Sequence, residues 1–219
     1  MRPVKRIVLP LLVLAAAARA GGPCGADKRT ILLLHFDEAA GEGRPRDSSV
    51  YQKQPYAGPV ATGDEGVFGN AMAFTNQHLE IAHDASFATV QSNGFLECWL
   101  KPGPDMLDRW GGDQTVVGKN AGGSNRGDVS FGIRMNPNSY GGGLFQLTME
   151  TGTGTYRTLR TPNMITASRW YHVRVSWDSV NKPRIVVDGV ERPFTDAGTN
   201  TDFSYAGPVF NVGVRMLVG

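Results

Sequence analysis

The sequence has only two cysteines and almost no stretch with the periodicity of an amphipathic helix. A disulfide-rich scaffold is excluded, because such a framework needs several cysteine pairs. Cys24 and Cys98 can pair in an oxidising compartment, but Cys98 shares one strand face with two leucines and can equally be a buried apolar residue. One helical pattern, DASFATV at 84–90, has room for a turn or two.

No apolar run is long enough to cross a bilayer. The longest one lies in the first twenty residues, where the basic segment MRPVKR precedes IVLPLLVLAAAA and the small-x-small pattern at 18–20. This order is typical of a cleaved export signal, with an uncleaved N-terminal anchor as the alternative. We expect an exported protein (extracellular, cell-surface or periplasmic). Residues 21–29 then form a lead-in to a single domain at 30–219.

A strong charge of either sign is also missing, with 22 Lys and Arg against 20 Asp and Glu. The predicted signal removes four basic residues and no acid, which leaves 18 basic against 20 acidic residues, a net charge of −2. The electrostatic attraction that drives nucleic-acid binding is therefore absent from the mature chain. We predict no nucleic-acid partner.

Catalytic constellations are missing as well. Ser124 lies in GGSNRG, which lacks the spacing of a nucleophile elbow, and His78 and His83 would not share one zinc-facing side. A glycoside hydrolase of sandwich fold needs two carboxylates facing one cleft, whereas GFLECWLK at 94–101 carries only Glu97. We predict that the protein is not an enzyme. Hydrolysis abolished by Glu97→Gln would contradict this prediction.

Short apolar or alternating runs, separated by Gly, Pro, Asn and Asp, fill the sequence instead. Many strands at short intervals predict an antiparallel sandwich or barrel. Asp188-Gly189 tolerates positive φ and predicts a tight hairpin in PRIVVDGVERPF. The predicted strands cover residues 30–36, 71–74, 78–81, 94–101, 114–119, 129–135, 143–150, 156–160, 169–178, 183–189 and 208–214.

The stretch RWYHVRVSWD at 169–178 is dense in aromatic and charged residues and has the appearance of a binding site. Alternation divides it into two faces. The apolar face predicts a core stripe, and the other face places His172 where a neighbouring backbone or carboxylate would satisfy it. The apolar face comprises Tyr171, Val173, Val175 and Trp177, and the other comprises Trp170, His172, Arg174, Ser176 and Asp178.

The order of several motifs resembles that of the laminin-G-like domains of the concanavalin A-like lectin/glucanase superfamily. The resemblance covers roughly residues 30–213 and implies a jelly-roll sandwich of two antiparallel sheets. It also implies an exported module that binds a glycan or an extracellular protein. The motifs are, in order, LLLHFDEAAGE, RDSS, GVFGNAMAF, HLEIAHDASF, GFLECWLKPG, RWYHVRVSWD and PRIVVDGV.

Many members of this family hold a calcium ion at the rim of the sandwich. The resemblance carries this role to Asp47 in RDSS, with Asp37 as an additional ligand, whereas turn capping is the alternative role for both. The sequence departs from the family in its last strand, which usually carries Asp-Glu beside the first strand. We therefore expect a sandwich that lacks its last strand and belongs to a longer protein, with an incomplete calcium site and an unpaired first strand.

Sugar-binding sheets stack apolar ring faces on aromatics and hydrogen-bond the hydroxyls with nearby polar side chains. Trp110 and Tyr140 in loops, and Arg134 and Gln146 on strands, are the predicted ligand-binding residues. Structural roles at the sandwich edge or in a surface salt bridge are the alternatives. Arg-Gly-Asp at 126–128 is read as a glycine-rich turn with surface charges rather than as an adhesion motif.

Three function classes follow from these observations. A non-catalytic exported carbohydrate-binding or adhesion module is the first, a structural or protein-interaction domain without a sugar site is the second, and a divergent glycoside hydrolase is the third. Calcium-dependent glycan binding would favour the first class. A stable protein partner without bound sugar would favour the second.

Overall fold

A computed structural model describes residues 7–9, 12–13, 25–75, 77–104, 114–120, 129–136, 143–152, 155–178, 180–194 and 215–219. These residues are almost entirely strands and turns, with one 3-10 helix at Ala85–Val90. The strands are β1 (Ile7–Leu9), β2 (Leu12–Val13), β3 (Leu33–Leu34), β4 (Pro55–Ala57), β5 (Asp64–Glu65), β6 (Asn70–Phe74), β7 (Leu79–Ile81), β8 (Gly94–Leu100), β9 (Gln114–Asn120), β10 (Val129–Asn136), β11 (Leu144–Gly152), β12 (Thr155–Arg160), β13 (Tyr171–Trp177), β14 (Arg184–Val187), β15 (Val190–Arg192) and β16 (Met216–Val218).

Two large antiparallel sheets form the domain. The first has seven strands in the order β12-β11-β10-β9-β16-β7-β4, and the second has six in the order β15-β14-β13-β8-β2-β3. A small third sheet joins β1, β6 and β5. The two-sheet antiparallel sandwich predicted from the sequence is therefore confirmed.

The core lies between the two large sheets, because each sheet buries one alternating set of side chains. Val117, Ile133 and Leu147 come from the seven-stranded sheet, and Leu96 and Val175 come from the six-stranded sheet. The side chains of the opposite parity point away from this core. Below, the side of each sheet that they occupy is called its outer face.

Strand β13 shows the alternation predicted for RWYHVRVSWD. Its burial alternates strictly between buried and half-buried residues, with Tyr171 and Trp177 on the core side. The Tyr171 ring meets Phe145 of the opposite sheet edge to face, with ring centroids 6.0 Å apart. The aromatic density of this stretch therefore serves the frame of the sandwich.

The hairpin between β14 and β15 forms as predicted. Asp188 and Gly189 both have positive φ, at 52° and 78°, and Val187 pairs with Val190 across the turn. Ile185 and Val187 are fully buried, as their shared face requires. This turn also reaches back to β13, because the Asp188 carboxylate accepts a hydrogen bond from the His172 amide.

The first predicted strand, at 30–36, is shorter in the structure than its apolar run suggests. Only Leu33–Leu34 is a strand, although residues 31–34 are all fully buried. The Leu33 amide donates to the Asp47 carboxylate, and the Leu33 carbonyl accepts from the Ser48 amide. The backbone of this segment is therefore satisfied by a loop instead of by a longer strand ladder.

The predicted export signal overlaps β1 and β2 in the structure. Strand β1 pairs with β6, and β2 lies between β3 and β8. Cleavage of this segment stays a prediction. Within the described ranges, no helix is long and apolar enough to cross a membrane. The predicted strand at 208–214 falls outside these ranges.

Candidate functional site

The outer face of the seven-stranded sheet carries a row of residues aligned across six strands. Strand register places them directly beside one another, so they share one face of the sheet. In order across the sheet they are Glu80, Leu217, Gly118, Gly132, Thr148 and Thr158. We call this row the cross-strand ladder. Since glycine has no side chain, only backbone atoms form the middle of the ladder, at Gly118 and Gly132.

A second row runs beside the ladder on the same face. Arg134, Gln146 and Arg160 occupy matching positions on β10, β11 and β12. The Arg160 Nε donates to the Gln146 Oε1 over 2.9 Å, and both side chains are buried although they face away from the core. Two predicted ligand-binding residues, Arg134 and Gln146, thus stand side by side in the sheet. The other two, Trp110 and Tyr140, lie outside the described residues.

The Thr148 hydroxyl is an exception to the rule that buried polar groups find partners. Its Oγ1 is buried and makes no hydrogen bond within the described ranges. The neighbouring Thr158 is also buried, at the end of the ladder. The Thr148 hydroxyl is therefore shielded from solvent and has no hydrogen-bond partner among the described residues.

At the opposite end of the ladder, four side chains form a hydrogen-bonded group that we call the Tyr56 cluster. The Tyr56 hydroxyl donates to Glu80 Oε2, and the Arg215 Nε lies 3.1 Å from the same oxygen. The His78 Nε2 lies 3.2 Å from Glu80 Oε1. The Tyr56 hydrogen bond lowers the pKa of the Glu80 carboxyl and raises that of the Tyr56 hydroxyl.

The Tyr56 ring remains 54% exposed although its hydroxyl is held. The cluster is therefore an aromatic surface fixed in orientation, with carboxylate, imidazole and guanidinium groups around it. No single pattern in the sequence indicates this group. Alternation in HLEI puts His78 and Glu80 opposite the buried Leu79 and Ile81, but Tyr56 and Arg215 belong to remote segments that only the sheet brings together.

Asp47, the predicted calcium ligand, is buried and fully engaged by the protein. Its Oδ1 accepts from the amides of Leu33 and Ser49, and its Oδ2 accepts from the Ser49 hydroxyl and the Lys53 amide. These four donors use the lone pairs that a carboxylate offers. The arrangement fits a turn-capping aspartate and does not fit a calcium ligand.

Asp37, the second predicted ligand, is exposed, and its carbonyl accepts from the Asn70 side chain. The described residues contain no group of three or more His, Cys, Asp or Glu side chains arranged to hold a metal. Calcium binding stays a prediction of the family resemblance.

The outer face of the six-stranded sheet contains a hydrogen bond between the side chains of two neighbouring strands, β8 and β13. The His172 Nε2 lies 2.7 Å from Glu97 Oε1, and a carboxylate is one of the two kinds of partner predicted for this histidine. The His172 ring also packs on Trp99, with centroids 4.9 Å apart, and Trp99 meets Phe68 edge to face. Glu97 is only 2% exposed, so this pair lies inside the frame.

Cys98, next to Glu97, points into the core as a free thiol, and Leu96 and Leu100 flank it on the same buried face. Burial raises the pKa of the Cys98 thiol to about 12, with a smaller contribution from the Glu97 charge. The apolar role considered for this residue is therefore the one the structure shows. Cys24 lies outside the described residues.

Comparison with family models assigns the chain to a family. No curated protein matches the sequence. The family model Laminin_G_3, of the concanavalin A-like lectin/glucanases superfamily, matches residues 74–216, more than half of the chain. The match runs from the end of β6 to the start of β16 and includes the strands that form the ladder's centre and the core between the sheets. Together with the antiparallel sandwich, it shows that the chain belongs to the laminin-G-like family of the concanavalin A-like lectin/glucanase superfamily, a lectin-like or adhesion module.

Proposed function

We propose that the protein is an exported, non-catalytic module that binds a neutral glycan across the outer face of its seven-stranded sheet. The observation that carries this proposal is the exposed Tyr56 ring, held in place by Glu80 at one end of the cross-strand ladder. Family membership supports glycan or extracellular-protein binding in general. The sheet face supports the choice of a glycan.

The Tyr56 cluster has the chemistry of a sugar platform. The apolar C–H face of a pyranose stacks on an aromatic ring, while its hydroxyls need donors and acceptors close to the ring edge. Glu80 and His78 offer an acceptor and an imidazole beside the ring. Because the Tyr56 hydroxyl is already fixed, little side-chain entropy is lost when a sugar binds.

The ladder extends this platform across the sheet. The backbone floor at Gly118 and Gly132 lets an extended ligand approach the strands closely, as glycine in a strand often does. Beyond it, the Thr148 hydroxyl has no protein hydrogen-bond partner in the described part of the chain. We infer that a glycan chain stacks on the exposed Tyr56 and extends from that end of the ladder across the strands.

The chemistry of Glu80 supports a binding role over a catalytic one. Glycoside hydrolysis needs one carboxyl that donates a proton and a second that attacks or activates water. Glu80 is held by Tyr56, His78 and Arg215, and its pKa is lowered, which suits a permanently ionised positioning group. A general acid needs the opposite shift.

The proposal is tested on a glycan array with the secreted protein, followed by calorimetry on the best neutral ligand. Tyr56→Ala removes the platform, and we expect about a tenfold loss of affinity, since aromatic contacts contribute roughly 0.5–1.5 kcal/mol beyond their buried area. Tyr56→Phe keeps the aromatic ring but removes the hydrogen bond to Glu80 that orients it, so this variant should lose less affinity than Tyr56→Ala. Val190→Ala, an exposed change on the other sheet, should leave affinity unchanged.

Three outcomes would overturn the proposal. The first is that no glycan on the array binds, and the second is that Tyr56→Ala binds as tightly as the wild type. The third is that a stable protein partner is recovered while no sugar binds. The last of these favours a protein-interaction domain. A chelator arm tests calcium directly, and binding that persists in EDTA is expected from the donors around Asp47.

A further inference from the structure

A cavity of about 560 Å³ lies on the other side of the sandwich, against the six-stranded sheet. It opens between the lead-in segment, the end of the 3-10 helix and the outer faces of β8 and β13. Phe95 and Ser176, which are cross-strand neighbours, form part of its wall. Its volume falls within the range typical of small-ligand pockets, and the glycan face contributes no residue to it.

The lining of the cavity contains basic side chains and no acidic one. Lys28, Arg29 and Arg174 all line it, whereas no Asp or Glu is among its lining residues. Arg29 is paired with the half-buried Asp27 on the lead-in segment. Arg174 makes no hydrogen bond or ion pair within the described ranges, and its cross-strand neighbour Glu97 is bonded to His172.

The guanidinium of Arg174 is held by stacking instead of by a salt bridge. It lies over the Phe95 ring, 4.6 Å from the centroid. Stacking on a ring leaves the edge of the guanidinium, with its fork of N–H donors, free to bind a planar anion. A carboxylate matches that fork with two parallel hydrogen bonds.

The rest of the wall is apolar with a few hydroxyl and amide groups. Ile31, Val90 and Trp177 form an apolar side, and the Trp177 Nε1 donates to the Val90 carbonyl over 2.7 Å, which ties this side together. Asn93 and Ser176 stand on the polar side. This combination offers an apolar surface for C–H groups and separate partners for hydroxyls.

We propose that this cavity binds the uronic acid residue of an acidic glycan. Arg174 holds the carboxylate, Lys28 supplies further positive charge, and the sugar ring lies against the apolar side with Asn93 and Ser176 near its hydroxyls. The lining of the cavity is positively charged, whereas the predicted net charge of the mature chain is negative. An anion is therefore attracted to the cavity and not to the protein surface as a whole. The site is independent of the glycan face proposed above.

The experiment measures calorimetric binding of a galacturonic acid trisaccharide and of the neutral galactose trisaccharide with the same linkage. The acidic trisaccharide should bind wild-type protein about tenfold more tightly than the neutral one, and raising the salt concentration should reduce that advantage because the cavity opens to solvent. Arg174→Gln should abolish most of the difference. Arg184→Gln, a matched change at an exposed arginine outside the cavity, should preserve it.

Further variants separate this proposal from loss of fold and from the first proposal. Arg174→Lys keeps the charge and loses the fork, so intermediate affinity is expected, and thermal melts verify that each variant is folded. Tyr56→Ala should retain uronate binding, and Arg174→Gln should retain neutral-glycan binding. Equal affinity for the two trisaccharides, an unaffected Arg174→Gln variant, or binding of a sulfated trisaccharide without the uronate would overturn the proposal.

Discussion

Replacing His172 by alanine removes the hydrogen-bond partner of the Glu97 carboxylate. Within the described ranges, Glu97 Oε1 bonds to His172 and Glu97 Oε2 has no partner, while the Glu97 side chain is 3% exposed. The variant therefore leaves both oxygens of a buried carboxylate without a protein donor. The packing of His172 on Trp99 is lost as well.

The cost can be bounded from two limits. Removing one partner of a fully buried ion pair costs roughly 3–5 kcal/mol, and leaving a buried hydrogen-bonding group unsatisfied costs about 1–3 kcal/mol. His172 is 20% exposed, so water can enter the space that it vacates and reach Glu97. We expect the lower part of this range, about 2–3 kcal/mol, which corresponds to a fall in Tm of about 5–10 °C for a domain of this size.

Urea and thermal denaturation of the wild type and His172→Ala measure this loss. His172→Gln retains a donor and should lose less, and in the double variant with Glu97→Gln the two effects should not add, because both remove the same contact. Affinity for a neutral glycan should not change. A variant that melts like the wild type but no longer binds would refute the assignment of His172 to the frame.

Three further predictions follow from other polar groups. Asp47→Ala removes four accepted hydrogen bonds and should destabilise the domain by about 2–4 kcal/mol in urea unfolding; an unchanged midpoint would contradict its role in the loop. Hydrogen bonds from Ser86, together with Lys53, lower the pKa of the helix-capping Asp84 from a usual 3.8 to about 2. The ionised Asp84 therefore stabilises the fold fully above pH 4, and this stabilisation disappears as the pH falls towards 2. Asp84→Ala should therefore approach wild-type stability at pH 2, and a constant difference from pH 5 to pH 2 would disagree with this. Cys98, with its pKa raised to about 12, should resist alkylation at pH 8 in the folded protein and react in urea, as peptide mapping can show.

The fold was predictable where information is local. Alternation along β8, β13 and β14 depends on neighbouring side chains alone, so the core faces and the Asp188-Gly189 turn agree with the structure. The segment at 30–36 was predicted less well, because its strand β3 is short and part of its backbone bonding goes to the side chain of Asp47 and the amide of Ser48. When a side chain, and not a neighbouring strand, accepts a backbone hydrogen bond, the sequence carries no periodic pattern that reveals it.

The candidate site was less accessible for the same reason. Gln146 and Arg134 were identified from the parity of their strands, and register does place them side by side. Tyr56 was missed because β4 is three residues long, too short for a pattern, and because its partner Glu80 is chosen by sheet order. A turn-capping aspartate and a calcium-binding aspartate look alike in the sequence, and only the four donors around Asp47 favour turn capping there.

The two glycines of the cross-strand ladder also affect the shape of the sheet. They lie on neighbouring strands close to a bulge between Ile133 and Arg134, and bulges increase local twist and bend a strand. Glycine adds freedom at the same place because no side chains pack across the two strands there. The curvature of the sheet beneath a bound ligand would thus depend on these two glycines, which offer the ligand only backbone atoms. Relatives that bind ligands of different shape should therefore differ in where glycines fall on adjacent strands, even where their polar side chains agree.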